Sequence, residues 1–138
     1  MKNIMLCIAF LLLAFNISAQ DKPVKIIFDV TSANPSTHQS AMRHVNIMSK
    51  NYPDSQFEVV LYSGSVEMAL KDKSSVAKEI SAFADNDNVS FKVCAMTLNR
   101  KKIDKSELLP GVDVVPDGIL EIVTKQSEGW GYIKEAHQ

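Results

Sequence analysis

Five short β-rich runs, separated by segments of about 14 to 27 residues, constrain this chain more than any other feature. The runs are Val24–Val30, Phe57–Tyr62, Val89–Cys94, Val112–Val115 and Trp130–Ile133. Hairpins join strands through much shorter links, whereas a helical crossover between parallel strands needs spacings of this size. Helix signals fill the gaps. Asn34-Pro35 joins a favoured N-cap to a proline suited to the first turn, and Ala41, Val45, Met48 and Tyr52 then recur on one helical stripe. Val66–Leu70 predicts a short helical turn. Val76, Ile80, Phe83 and Ala84 predict a better helix, broken by Asp85-Asn86-Asp87-Asn88. Ala95–Lys102 reads as another, Asp104 with Glu107 as a capping box, and Gly118 opens a helix carrying Ile119, Leu120, Ile122 and Val123. The expected fold class is therefore α/β: one three-layer α/β/α domain around a five-stranded parallel sheet. Strand order is not contained in this pattern.

The domain is expected to occupy residues 20–138, because residues 1–19 read as a secretory signal peptide. Lys2 supplies a positive start, Ile4 to Phe15 an apolar run, and Ile17-Ser18-Ala19 a small-residue cleavage site. That run is shorter than the roughly 20 residues that cross a bilayer. No later segment is comparably apolar, so no stable membrane span is expected and the mature chain is placed in the periplasm. Removal of the leader leaves about 119 residues, enough for one domain with its own core. The net charge of −1 carries no basic excess, which argues against a nucleic-acid partner. The last residues, Glu135 to Gln138, are expected to fray.

In a Rossmann- or flavodoxin-like sheet, ligands bind outside the carboxyl ends of the strands. Three polar segments should meet there: Asp29 to His38, Ser63-Gly64-Ser65 and Cys94 to Asn99. Asn34, His38, Ser63, Thr97 and Asn99 are the candidate pocket residues, and Cys94 is the candidate nucleophile. With Cys7 inside the leader, Cys94 has no intrachain disulfide partner in the mature protein. It shares a strand face with Ser90 and Lys92, opposite Val89, Phe91 and Val93. A helix starting at Ala95 would turn amide hydrogens toward its sulfur and favour the thiolate, which is expected to meet solvent. Arg100, Lys101, Lys102 and Lys105 would add positive field, and His38 would serve as proton shuttle. Cys94 otherwise serves as a buried small hydrophobe, the basic run as a solvated face and His38 as an exposed helical histidine. His38 and His44 lie six residues apart and show no metal-ligand spacing. Met42, Met48, Met68 and Met96 fall at core-type positions rather than in a copper-binding cluster. Thr31-Ser32-Ala33-Asn34-Pro35 replaces a glycine-rich phosphate loop, and no Gly-x-Ser-x-Gly elbow exists, so neither metal nor cofactor is expected.

Three stretches, VKIIFDVTSANP, VSFKVC followed by AMTL, and the closing IVTKQSEGWGYI, together with the element order, resemble the DsrE/DsrF-like family from about Val24 to Ile133. The resemblance implies a Rossmann-like subunit that assembles into trimers or hexamers. It also implies a sulfur-relay role, in which Cys94 takes sulfane sulfur from a small donor or partner as a persulfide and passes it to a partner thiol. An export leader separates this chain from the cytoplasmic relay partners of such proteins. The other reading is a non-catalytic ligand-binding or assembly module with an incidental cysteine, in which Lys92, Tyr62 and Trp130 belong to a subunit interface.

Overall fold

The computed structural model describes residues 22–136, so the segment read as a leader lies outside the described residues. The strands are Lys25–Val30 (β1), Gln56–Leu61 (β2), Val89–Cys94 (β3), Val112–Val115 (β4) and Gly131–Glu135 (β5). They form one sheet in the order β4-β3-β2-β1-β5, with every neighbouring pair parallel. The helices are Pro35–Asn51 (α1), Ala77–Ser81 (α2), Ala95–Lys101 (α3) and Gly118–Ser127 (α4), with 3-10 turns at Ser63–Ala69 and Lys105–Glu107.

Side-chain alternation divides the strands between two unequal cores. Phe28, Val30, Phe57, Val59, Leu61, Phe91 and Val93 point to one face, where Ala41, Met42 and Val45 of α1, Ile80 of α2 and Leu98 of α3 cover them. Ile27 and Val60 point to the other face and meet Ile122 of α4, with Tyr62 and Trp130 at the margin. The asymmetry follows from the chain path. From β1 to β4 each crossover steps the same way across the sheet and returns on one face; the β4–β5 crossover runs back past β1 and lies on the other. A single helix therefore forms the third layer.

That single helix, α4, carries its apolar residues unevenly. Of the four apolar residues assigned to it, Ile122 is buried, while Ile119, Leu120 and Val123 are more than half exposed. A helix standing alone on a sheet can bury only one stripe. Met96 is likewise exposed rather than core. The helix expected to begin at Val76 and run to Ala84 shrinks to five residues, because Ala82 to Ala84 continue as turns toward the Asp/Asn cluster. The chain end does not fray at Glu135. This residue is buried in β5 and accepts a 2.8 Å hydrogen bond from His44 Nδ1 of α1. Two caps form as read: Asn34 accepts from Ser36 N–H, and the Asp104/Glu107 box closes on the second 3-10 turn.

Candidate functional site

Strand order fixes where a crevice opens. β3 and β4 are neighbours, yet the helix after β3 lies on one face and the helix after β4 on the other. The strands stay paired to Cys94 and Val115, and the chain leaving their carboxyl ends turns to opposite faces and opens a crevice, the switch point at which open α/β sheets bind ligands. A cavity of about 480 Å³ lies there, lined by Tyr62, Ser63, Cys94, Met96, Thr97, Arg100, Asp117 and Ile119.

Cys94 is both the last residue of β3 and the N-cap of α3, in extended conformation. Its side chain falls on the α4 face, as alternation predicts, and its Cβ lies 3.1 Å from where a Cβ on Gly118 would stand. Gly118 thus lets the start of α4 come close to the thiol. Burial pushes the Cys94 thiol up, but hydrogen bonds from the backbone of Gly118, the backbone and hydroxyl of Thr97 and the backbone of Met96 outweigh it, and the net shift is downward. Thr97 is held for this task. Its Oγ1 accepts the Ser63 N–H at 3.2 Å, which leaves its own proton for the sulfur. Ser63 directs that N–H from a left-handed backbone (φ 60°), a conformation unusual for a residue with a side chain.

The remaining wall is ordered by Asp29, buried at the end of β1. It accepts hydrogen bonds from the hydroxyls of Tyr132 (2.7 Å) and Tyr62 (3.4 Å) and from Lys134 Nζ (3.1 Å). Burial pushes the Tyr62 phenol up, and the Asp29 carboxylate and the nearby Cys94 add to the effect, so Tyr62 stays protonated. The hydrogen bond to Asp29, with burial added, takes Tyr132 to about 12. Asp117 spends its carboxylate on the cap of α4, accepting from the N–H groups of Ile119 (2.8 Å) and Leu120 (3.3 Å).

Of the six candidate residues, the structure brings together Cys94, Ser63 and Thr97. The other three stand apart from this cavity. Asn34 caps α1, Asn99 is exposed on α3, and His38 is buried with Nε2–H donating to the Ser32 carbonyl at 2.8 Å. His38 is neither an exposed helical histidine nor a partner of the thiol; its ring serves to hold the β1–α1 loop. Cys94 itself is 5% exposed, so the thiol meets its surroundings through the cavity rather than on an open surface. Of the basic run, only Arg100 lines the cavity. Lys92 is paired with Asp113 at 2.6 Å, and Trp130 packs in the smaller core under Lys125. Sequence reasoning missed Gly118 and Asp117, whose place beside Cys94 depends on β4 lying next to β3. A larger depression of about 660 Å³ between α1 and α2 carries neither thiol nor histidine. Among the described residues, no group of three or more His, Cys, Asp or Glu side chains is arranged to hold a metal ion. No helix among them is long and apolar enough to cross a membrane.

The sequence model of the DsrE/DsrF-like family matches residues 25–134. No curated protein matches the chain. Among solved structures, a protein of unknown function from Methanobacterium thermoautotrophicum is 31% identical, with a TM-score of 0.75, over 80% of this chain and 98% of that one. The ychN protein from E. coli is 13% identical, with a TM-score of 0.65, over 81% and 97%. A conserved protein of unknown function from Bacteroides thetaiotaomicron is 18% identical, with a TM-score of 0.64, over 86% and 97%. The last two likenesses show the fold alone.

Proposed function

The chain belongs to the DsrE/DsrF-like family, and on that premise we propose that it is an exported sulfur carrier working through Cys94. Membership supports a sulfur-relay type of function at the level of the family; the carrier role of this chain rests on its own site. The observation that carries it is the set of hydrogen-bond donors around a thiol at the floor of a cavity, which favours the nucleophilic thiolate. The Cys94 thiolate attacks the outer sulfur of a persulfide donor, the donor's S–S bond breaks, and the donor leaves as a thiolate. Cys94 then holds the sulfur as a persulfide. An acceptor thiolate attacks that outer sulfur, takes it, and regenerates the Cys94 thiolate.

The apolar leader at residues 1–19 supports export and a periplasmic site of action. A trimeric or hexameric assembly is supported by the exposed apolar stripe of α4 on the thinly covered sheet face.

Intact-mass measurement after brief treatment with polysulfide tests the carrier role. The wild-type chain is expected to gain one sulfur atom, to lose it to added thiol, and to alkylate at Cys94 rapidly near neutral pH. Cys94→Ser is expected to gain none. A thiol that alkylates slowly and takes up no sulfur would return the chain to the binding-module reading.

A further inference from the structure

The cavity above Cys94 has two chemically distinct regions. The thiol, with its hydrogen-bond donors, forms the floor. Met96 and Ile119, both mostly exposed, supply an apolar wall, and Arg100 supplies a cation. Met96, Thr97 and Arg100 lie three and four residues apart on α3, so they present one face to the cavity. Arg100 starts about one helical turn, roughly 5 Å, beyond the residues at the sulfur. Among the described residues it has neither an ion-pair partner nor a side-chain hydrogen bond. The other ionised side chain of the lining, Asp117, is turned onto the N–H groups of its own helix. Arg100 is therefore the lining group left to recognise a ligand by charge.

We infer that Arg100 selects the sulfur donor: Cys94 takes sulfur from small organic thiosulfonates, anions whose sulfonyl head is held by the guanidinium while the sulfane sulfur meets the thiolate. The inference rests on the carrier reading and names its substrate class. The planar guanidinium fork suits two oxygens of such a head, and the Met96/Ile119 wall suits a short apolar stem. With an organic thiosulfonate the thiolate attacks the sulfane sulfur and the sulfur–sulfonyl bond breaks. The electron pair leaves on an organic sulfinate, and Cys94 is left as a persulfide anion. Sulfur count and charge balance with no added oxidant. The sulfinate carries its charge away past Arg100.

Two measurements separate this inference from the reading beneath it. The first is the rate at which Cys94 reacts with methanethiosulfonates bearing a sulfonatoethyl or a trimethylammonioethyl group, each normalised to a free thiol. The wild type is expected to favour the anionic reagent about tenfold, the effect of one charge pair in a partly hydrated cavity. Arg100→Gln is expected to abolish the preference, and Arg100→Lys to keep part of it. Equal rates in the wild type, or a preference that survives in Arg100→Gln, would overturn the inference. The second is sulfur gain from benzenethiosulfonate, read by intact mass. Charge preference without sulfur gain from this donor or from polysulfide would leave the anion-selective cavity standing and defeat the carrier reading. Sulfur gain from polysulfide alone would defeat the donor class.

Discussion

At the scale of single residues, the state of Cys94 is decided by opposed contributions. Burial at 5% exposure disfavours the thiolate, and donors from Gly118, Thr97 and Met96 more than restore it. The Thr97 hydroxyl is the one donor removable without touching the backbone. Thr97→Val keeps shape and volume, and removes a charge-assisted hydrogen bond of the kind worth roughly 1.5–3 kcal/mol. Its expected effect is several-fold slower alkylation of Cys94 at pH 7, with the midpoint of the rate–pH profile displaced upward. An unchanged midpoint would show that backbone donors suffice. From the sequence, the strand-end position of Cys94 and its face were legible, because alternation along VSFKVC needs only local geometry. The Thr97–Ser63 contact was not, since Ser63 reaches it from a different strand end.

At the scale of elements, local chemistry explains most starts and stops. Asn34 and Asp117 cap α1 and α4 with their own side chains. α3 ends differently, on Lys102 in the left-handed conformation (φ 56°), with its N–H donating to the Leu98 and Asn99 carbonyls. Glycine adopts that conformation without the Cβ clash. Lys102→Gly is therefore expected to raise stability by about 0.5–1 kcal/mol in a denaturant titration, the relief of the clash exceeding the entropy cost of glycine. A loss of stability would mean that the lysine stem makes a packing contribution larger than the strain. Two helices differ from what apolar spacing alone predicts, for separate reasons. α2 and its N-cap bury Ile80 and Val76, but the helix is cut short by the turns at Ala82 to Ala84, whereas the exposure of α4 was decided by what lay opposite it. Among the described residues, nothing covers Ile119, Leu120 and Val123 of α4.

At the scale of the whole molecule, the uneven covering of the sheet leaves charged groups beneath and beside one helix. Glu58 in β2 is 3% exposed, with Lys125 of α4 at 3.8 Å and Ser90 donating to its Oε2 at 3.3 Å. Its Oε1 has no partner among the described residues. Burial pushes this carboxyl up to about 7, with Lys125 opposing the shift and Glu121 adding to it. Because the folded chain holds this proton more tightly than the unfolded chain, Glu58 weakens the fold as pH rises from about 4.5 to about 7. Glu58→Gln is expected to flatten that decline and to be more stable than wild type at pH 8, by an amount on the order of 2 kcal/mol. Denaturant titrations at pH 5 and pH 8 check it; parallel losses in both proteins would refute it. Strand spacing, caps and alternation determined the α/β class, most element boundaries and the position of Cys94, because each depends on neighbours a few residues away. Tertiary structure alone decided the order β4-β3-β2-β1-β5 and, with it, the crevice that sets Gly118 and Asp117 beside Cys94. Contacts between residues this distant in sequence depend on which strands pair, and β-rich runs with similar apolar content do not encode their own order.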